Sequence, residues 1–215
     1  MRRVKILGFH ILSSEAHVAD GVFSGCELWT LNDWWRFFPH LRRPHRLYQI
    51  HENWDGENSS MPWRNAPDWK ARYEKSGADC VLANSEGLTR ERIFDVDRAD
   101  REFGRGFLGS TLSYMIVDAI WEGVAKVDLV GVKMLGDQEH IKQVPNLLWN
   151  VEVARARGIK VFNPYENVWK RMFDALGVRW EDLKEVSLRY GAKAKDKIEM
   201  VINKIEIESL VEITN

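Results

Sequence analysis

The chain has 215 residues, with 31 Lys+Arg against 32 Asp+Glu, six His and a net charge of −1 at pH 7. That length builds one main hydrophobic core plus an appendage, and argues against a second full domain. The balanced charge excludes a global electrostatic pull toward nucleic acid or an anionic membrane and leaves only local basic patches for such contacts.

The two cysteines, Cys26 and Cys80, lie inside apolar runs and read as small buried thiols rather than a disulfide framework or a metal site. That reading, and an N-terminal apolar stretch broken at Gly8 to His10, fit a cytoplasmic protein without a signal peptide or membrane span. Ten tryptophans are an unusual surplus. Such rings serve the core more often than a ligand, although Trp34, Trp35 and Trp54 follow predicted strands, where a base or sugar can lie.

Short apolar runs alternate with segments of helical period, which predicts βαβ units and a mostly parallel, Rossmann-like α/β sheet flanked by helices. The predicted strands are Val4 to Gly8, Glu27 to Leu31, Arg46 to His51, Asp79 to Ala83, Lys126 to Val132 and Lys160 to Asn163. Residues 55–67 are polar and rich in Gly, Asn, Ser and Pro, as in a surface loop. Glu86 to Gly106, dense in Arg, Asp and Glu, reads as a partly helical, solvated flap. Leu112, Met115, Ile116, Ala119 and Ile120 make one apolar stripe on a helix from Thr111 to Glu122, stopped by Gly123. A second helix is expected to start near Pro145, whose ring suits a first turn, and to end at Gly158. Residues 1–176 form the nucleotide-binding domain in this reading. Residues 177–215 form a helical appendage, with a helix near Asp182 to Lys204 and an edge-strand pattern at Ile205 to Glu208, suited to packing or to self-association as a homo-oligomer.

Open parallel sheets bind ligands beyond the carboxyl ends of their strands. The candidate binding residues are therefore Gly8 and Ser13 after the first strand, Asn32 after the second, and Asn84 and Ser85 after the fourth. Gly109, Ser110, Thr111 and Tyr114 join them at the start of the clearest helix, where free N–H groups and hydroxyls suit a phosphate. Asn, Ser and Asp also serve as ordinary loop formers and caps. His51 beside Glu52 is the first acid–base candidate, with Asp33 as a carboxylate that can orient a base and His140, in a polar loop, as a second base; a surface histidine is the plain alternative. Asp95-Val96-Asp97 has the Asp-x-Asp form of some metal-nucleotide sites, but Arg92, Arg98 and Arg101 around it favour a salt-bridged helix, and no metal site is assigned. The P-loop, GxGxxG, GxSxG and HExxH patterns are absent, which argues against P-loop kinases, common dehydrogenases, α/β hydrolases and zincins.

Val4 to Gly8, Glu27 to Asn32, Ser110 to Met115, Ala119 to Met134 and Ile159 to Phe162, taken in order, resemble uncharacterised phage-encoded Rossmann-like proteins. They are also similar to the bacterial sialyltransferases that make lipooligosaccharide and to archaeal pterin diphosphokinase-like proteins, over about three-quarters of the chain. The resemblance to the sialyltransferases implies a nucleotide-sugar donor held by Asn32, Ser110 and Thr111. The first-strand loop departs from that family, with Gly8-Phe9-His10-Ile11-Leu12 in place of Gly-Asn-Gly-Pro-Ser. Glu139, Gln143 and Pro145 match an E-x-x-x-Q-x-P loop of the phage group, with Val144 where Arg is usual.

The expected function is thus a nucleotide-dependent transferase with a nucleotide or nucleotide-sugar donor. The alternatives are a Mg²⁺-dependent pyrophosphoryl transferase, with Asp33, Glu52 and Asp55 holding the ion, and a non-catalytic nucleotide or nucleic-acid binder using Arg42, Arg43, His45 and Arg46 beside Trp34 and Trp35.

Overall fold

A computed structural model describes residues 1–8, 25–32, 34, 44–50, 69–134, 138–175, 177 and 179. Among these residues the strands are β1 (Arg3–Leu7), β2 (Glu27–Leu31), β3 (Arg46–Gln49), β4 (Asp79–Leu82), β5 (Glu91–Ile93), β6 (Lys126–Val130) and β7 (Lys160–Phe162). The helices are α1 (Trp69–Ser76), α2 (Val96–Phe103), α3 (Thr111–Trp121), α4 (Gln138–Ala156) and α5 (Glu166–Ala175). The strands form one sheet in the order β5-β4-β3-β2-β1-β6-β7, and every neighbouring pair is parallel. This is an α/β, Rossmann-like fold, as the alternation of patterns predicts.

Central strands buried on both faces carry near-continuous apolar runs, because each face needs its own apolar residues. Val4, Ile6, Trp29, Leu31, Tyr48, Val81, Val127 and Leu129 point into the larger core cluster, which α3 joins through Leu112, Met115, Ile116 and Ala119, α4 through Leu147 and Trp149, and α5 through Trp169 and Phe173. Leu7, Leu28, Leu47, Cys80 and Leu82 point to the opposite face, where they cluster with Trp34, Leu88 and Tyr73 of α1. Trp29, Trp34, Trp149 and Trp169 are all buried, so these four serve packing, and Trp34 is not an exposed stacking platform.

β2 has the predicted limits, and the other predicted strands end one or two residues early, where the ladder gives way to glycine, turn or irregular backbone. Two larger differences stand out. Pro145 lies inside α4 and not at its start; a proline cannot donate to the carbonyl four residues earlier, yet the helix extends to Gln138 around the missing bond. Glu86 to Gly106 is partly helical and largely exposed, as expected, but it is not a flap: it supplies the edge strand β5 and the helix α2, whose Ala99 and Phe103, with the preceding Phe94, are buried. The strand's own side chains are largely exposed, so no apolar alternation marks it, and backbone pairing with β4 holds it in place.

The polar loop at 55–67, the helix at Asp182 to Lys204 and the strand at Ile205 to Glu208 lie outside the described residues. Among the described residues no helix is long and apolar enough to cross a membrane.

Candidate functional site at the carboxyl edge

The chain runs outward from β1 to β5 and then returns to the other side of β1 as β6 and β7. The strand order therefore reverses between β1 and β6, and an open parallel sheet has its natural crevice beyond the carboxyl ends at such a point. α3 begins at that edge. Its last turn meets the opposite, amino edge, where Asp118 accepts from Tyr48 of β3 and from Arg92 of β5, and Glu122 accepts from Arg2 and from Arg46 at the start of β3. A helix of eleven residues spans about 16 Å at 1.5 Å per residue, roughly the length of a five-residue strand, so its first turn stands at the carboxyl ends.

The floor of the crevice is backbone. Gly8 continues the β1–β6 pairing by donating to Val130 O at 2.7 Å. A Cβ at Gly8 would lie 2.6 Å from Gly131 O, 2.9 Å from Gly131 C and 3.0 Å from Val132 Cγ2, so the two chains approach as only glycine allows. Just beyond the strands, Asn32 after β2 (φ 46°) and Met134 after β6 (φ 54°) are the two non-glycine residues with left-handed backbone among those described. Such conformations cost energy and cluster where a fold positions a ligand. Asn32 is firmly held: its N–H donates to Tyr48 O at 2.9 Å and its carbonyl accepts from Tyr73 Oη at 3.0 Å. Its amide Oδ1 is buried with no hydrogen-bond partner, and a buried acceptor left unmatched is uncommon.

Ser110 occupies the N-cap of α3 with extended backbone (φ −160°, ψ 166°), yet its side chain makes no capping bond. The N–H of Ser113 donates to Ser110 O at 2.9 Å, and those of Thr111 and Leu112 are left without a side-chain cap. The preceding turn is fastened to α4 instead. Asn146 Oδ1 accepts from Gly109 N at 3.2 Å and from Ser113 Oγ at 2.8 Å, while its Nδ2 donates to Gly106 O at 2.8 Å and Phe107 O at 3.2 Å. Asn150, one turn along α4, donates to Phe107 O at 2.9 Å.

The other predicted residues fall less together. Thr111 is buried in the first turn of α3. Tyr114 packs on Phe94, with ring centroids 4.6 Å apart, at the margin of the core. Asn84 and Ser85 are exposed after β4, and the Ser85 hydroxyl donates to the Glu91 carboxylate, which also accepts from the N–H groups of Glu86 at 3.0 Å and Leu88 at 2.9 Å. Ser85 thus organises its own loop. His140 is exposed in the first turn of α4. Ser13, Asp33, His51 and Glu52 lie outside the described residues.

Asp95 is a helix cap: its Oδ1 accepts from Arg98 N at 2.8 Å, and Arg98 stacks over Trp121 at 4.1 Å. Among the described residues no cluster of three or more His, Cys, Asp or Glu is placed to hold a metal ion. The residues that sequence reasoning missed are Gly131, hidden inside a strand predicted to run on to Val132, and the buried pair Asn146 and Asn150. Their signal was two asparagines four apart on an otherwise apolar helix face.

The amino edge carries a cleft of about 400 Å³ bounded by Arg2, Glu27, Pro44, His45, Arg46, Gly77, Asp79 and Arg90. Its guanidinium groups are engaged: Arg2 with Glu27 and Glu122, Arg46 with Glu122, Arg90 with Asp79. Arg46 also stacks on Trp29 at 4.4 Å, and His45 Nδ1 accepts from Leu28 N at 3.0 Å. This edge is a charge-paired latch that ties α3 to the sheet, and it takes Arg46 and His45 out of the basic patch drawn from sequence.

Compared with protein-family models, curated proteins and solved structures, the chain matches none.

Proposed function

We propose that the protein binds a phosphate-bearing, nucleotide-type ligand across the carboxyl ends of β1, β2 and β6 and serves as a transferase using a nucleotide-activated, sugar-like donor. The observation that carries this reading is the uncapped first turn of α3, standing at the edge where the strand order reverses. A helix N-terminus concentrates partial positive charge and free N–H groups, the complement of a phosphate. Asn32 supports the reading with a buried, unmatched amide oxygen on a constrained backbone at the same edge, fitted to accept from a base or ribose. In this scheme His51 or His140 takes the proton of the acceptor group, and Glu52 or Asp33 orients that base. A cytoplasmic setting and assembly of more than one copy belong to the same proposal.

The test is a thermal-shift and calorimetric survey of nucleotides and nucleotide sugars, with and without Mg²⁺, since a ligand that binds only the folded state raises its stability by mass action. At least one compound is expected to bind, and Asn32→Ala to weaken it about tenfold or more, the worth of one charge-assisted or buried hydrogen bond. No binding at millimolar concentration overturns the reading. Binding that requires Mg²⁺ would move the assignment to pyrophosphoryl transfer.

A further inference from the structure

We propose that the amino-edge cleft is a second binding site, for a small organic oxyanion: a carboxylate or phosphate monoester that also carries a hydroxyl group. Arg46 is its anchor. The site lies at the opposite edge of the sheet from the nucleotide crevice and does not depend on it.

An arginine grips an oxyanion through two parallel N–H bonds, and the edge formed by Nε and Nη2 presents such a pair. Two of the three arginines that line the cleft already use that edge on a carboxylate. Arg2 gives Nε and Nη2 to the two oxygens of Glu27 at 2.5 and 2.7 Å, and Arg90 gives the same nitrogens to Asp79 Oδ1 at 2.9 and 2.5 Å. Arg46 does not. Its hydrogen bonds and ion pairs all run through Nη1, to Glu122 at 2.6 Å, to the Tyr48 hydroxyl at 3.3 Å and to Asp118 at 3.5 Å. The Nε and Nη2 of Arg46 have no partner among the described residues, and neither is enclosed, so the edge that its neighbours spend on carboxylates is open at the cleft wall.

That edge is held in place. The Arg46 guanidinium lies over the Trp29 ring at 4.4 Å, and its side chain is only 11% exposed. A guanidinium fixed before the ligand arrives loses little rotamer entropy on binding, and its partial removal from water strengthens a charge-assisted hydrogen bond.

The space in front of it suits a small molecule. The cleft of about 400 Å³ adjoins a second of about 250 Å³, and Arg46, Asp79 and Arg90 line both. The walls supply further polar groups. His45 accepts from Leu28 N on Nδ1, so its neutral ring carries the proton on Nε2, the nitrogen left to donate to a ligand oxygen. Asp79 takes both bonds from Arg90 on Oδ1, which leaves Oδ2 to accept from a ligand hydroxyl. With three guanidinium groups against two carboxylates in the wall, the field is nearly balanced, and recognition rests on the Arg46 edge and short-range contacts rather than on long-range attraction.

The experiment titrates the full-length protein with glycerol 3-phosphate, with glycerate and, as the uncharged control, with glycerol, in about 0.15 M salt, where long-range attraction is screened. Calorimetry reads affinity. The arginine Nε–H signals of ¹⁵N-arginine-labelled protein read location, with Arg46 assigned through its contact with the Trp29 ring. At least one of the two oxyanions is expected to bind and to shift the Arg46 signal, and the stronger of the two tells whether phosphate or carboxylate is the better match. Arg46→Lys keeps the charge beside Glu122 but loses the paired donors, and is expected to weaken binding about tenfold or more. Arg90→Gln, at the exposed rim, is expected to weaken it about threefold, and Asn32→Ala to leave it unchanged.

If neither oxyanion binds at millimolar concentration, or if glycerol binds as well as they do, the proposal falls. It falls equally if an oxyanion binds without moving the Arg46 signal, or if Asn32→Ala weakens it as much as Arg46→Lys does, since the ligand then sits elsewhere. Should Arg46→Lys fail to fold, the wild-type Arg46 signal and the affinity of Arg90→Gln decide. The nucleotide reading stands or falls by its own titration.

Discussion

The phenol of Tyr48 on β3 donates a 2.7 Å hydrogen bond to Asp118 Oδ2 on α3, seventy positions along the chain, and both side chains are buried. Arg92 donates to the same oxygen and Arg46 lies 3.5 Å from it, so one carboxylate joins β3, β5 and α3. Burial first, and then the charge of Asp118, push the Tyr48 hydroxyl well above the usual phenol range. It therefore remains a neutral donor. Tyr48→Phe removes one hydrogen bond and is expected to cost about 1–2 kcal/mol. Asp118→Ala leaves the mostly buried Arg46 with Glu122 as its one carboxylate partner among the described residues and is expected to cost more, about 3 kcal/mol. Urea unfolding of both variants checks the order, and an equal or smaller loss for Asp118→Ala would show that no such network holds α3.

The parallel architecture was legible because β1, β2, β4 and β6 are apolar runs buried on both faces, and Gly8 and Gly123 punctuate the units they end. β5 was not, because Glu91, Arg92 and Ile93 owe their strand to pairing with β4 and carry no buried alternation of their own. The start of α4 was misplaced for a different reason. Pro145 is a good first-turn residue, and only packing in three dimensions overrides that local preference. Asn32 and Ser110 were singled out by the rule that strand ends and helix starts suit ligands, and both stand at the ends of the elements expected. Asn146 was missed because the turn at 106–110, whose backbone it binds, approaches it only in the fold.

Glu91 gives a stability change with a definite sign. The Ser85 hydroxyl first, and then the N–H groups of Leu88, Glu86 and Gly87, hold its carboxyl down from 4.5 to about 2. A folded-state value below the unfolded one contributes stability that is full above the unfolded value and is lost as pH falls toward the folded one. Wild type is therefore expected to lose stability between about pH 4.5 and pH 2 more steeply than Glu91→Gln. Denaturant midpoints measured across that window check it, and parallel acid limbs would mean that the Ser85 to Leu88 loop does not hold the carboxylate in solution.

Cys80 and Cys26 are expected to separate in alkylation. Burial first, then the nearby charges of Glu74, Asp79 and Glu91, push the Cys80 thiol from 9.0 up to about 12, which reduces its thiolate about a thousandfold at a given pH. Cys26 is only partly buried. Iodoacetamide at pH 8 should label Cys26 in the folded protein and Cys80 only once denaturant is added, as read by peptide mass spectrometry. Labelling of both at similar rates would show that the β3–β4 face opens readily.

Gly8 tests whether the reversal point is as tightly closed as its contacts require. A Cβ there meets the Gly131 carbonyl oxygen at 2.6 Å and its carbon at 2.9 Å, and both belong to backbone rather than to a side chain that can swing away. Gly131 has little room to yield, because Val130 just before it is held by the hydrogen bond from Gly8 N. The strain must go into parting β1 from β6 or tilting their ends. Overpacking of this kind costs about 1–3 kcal/mol, which for a chain of this size lowers the melting temperature by roughly 2–12 °C. Because the displaced backbone is also the proposed floor of the ligand crevice, Gly8→Ala should lose affinity for any bound nucleotide by more than an equally destabilising change such as Tyr48→Phe at the opposite edge. Scanning calorimetry and titration of the two variants side by side give the comparison. A variant as stable as wild type would mean that β1 and β6 are free to separate at this edge, and equal affinity losses for the two variants would place the ligand away from the reversal point.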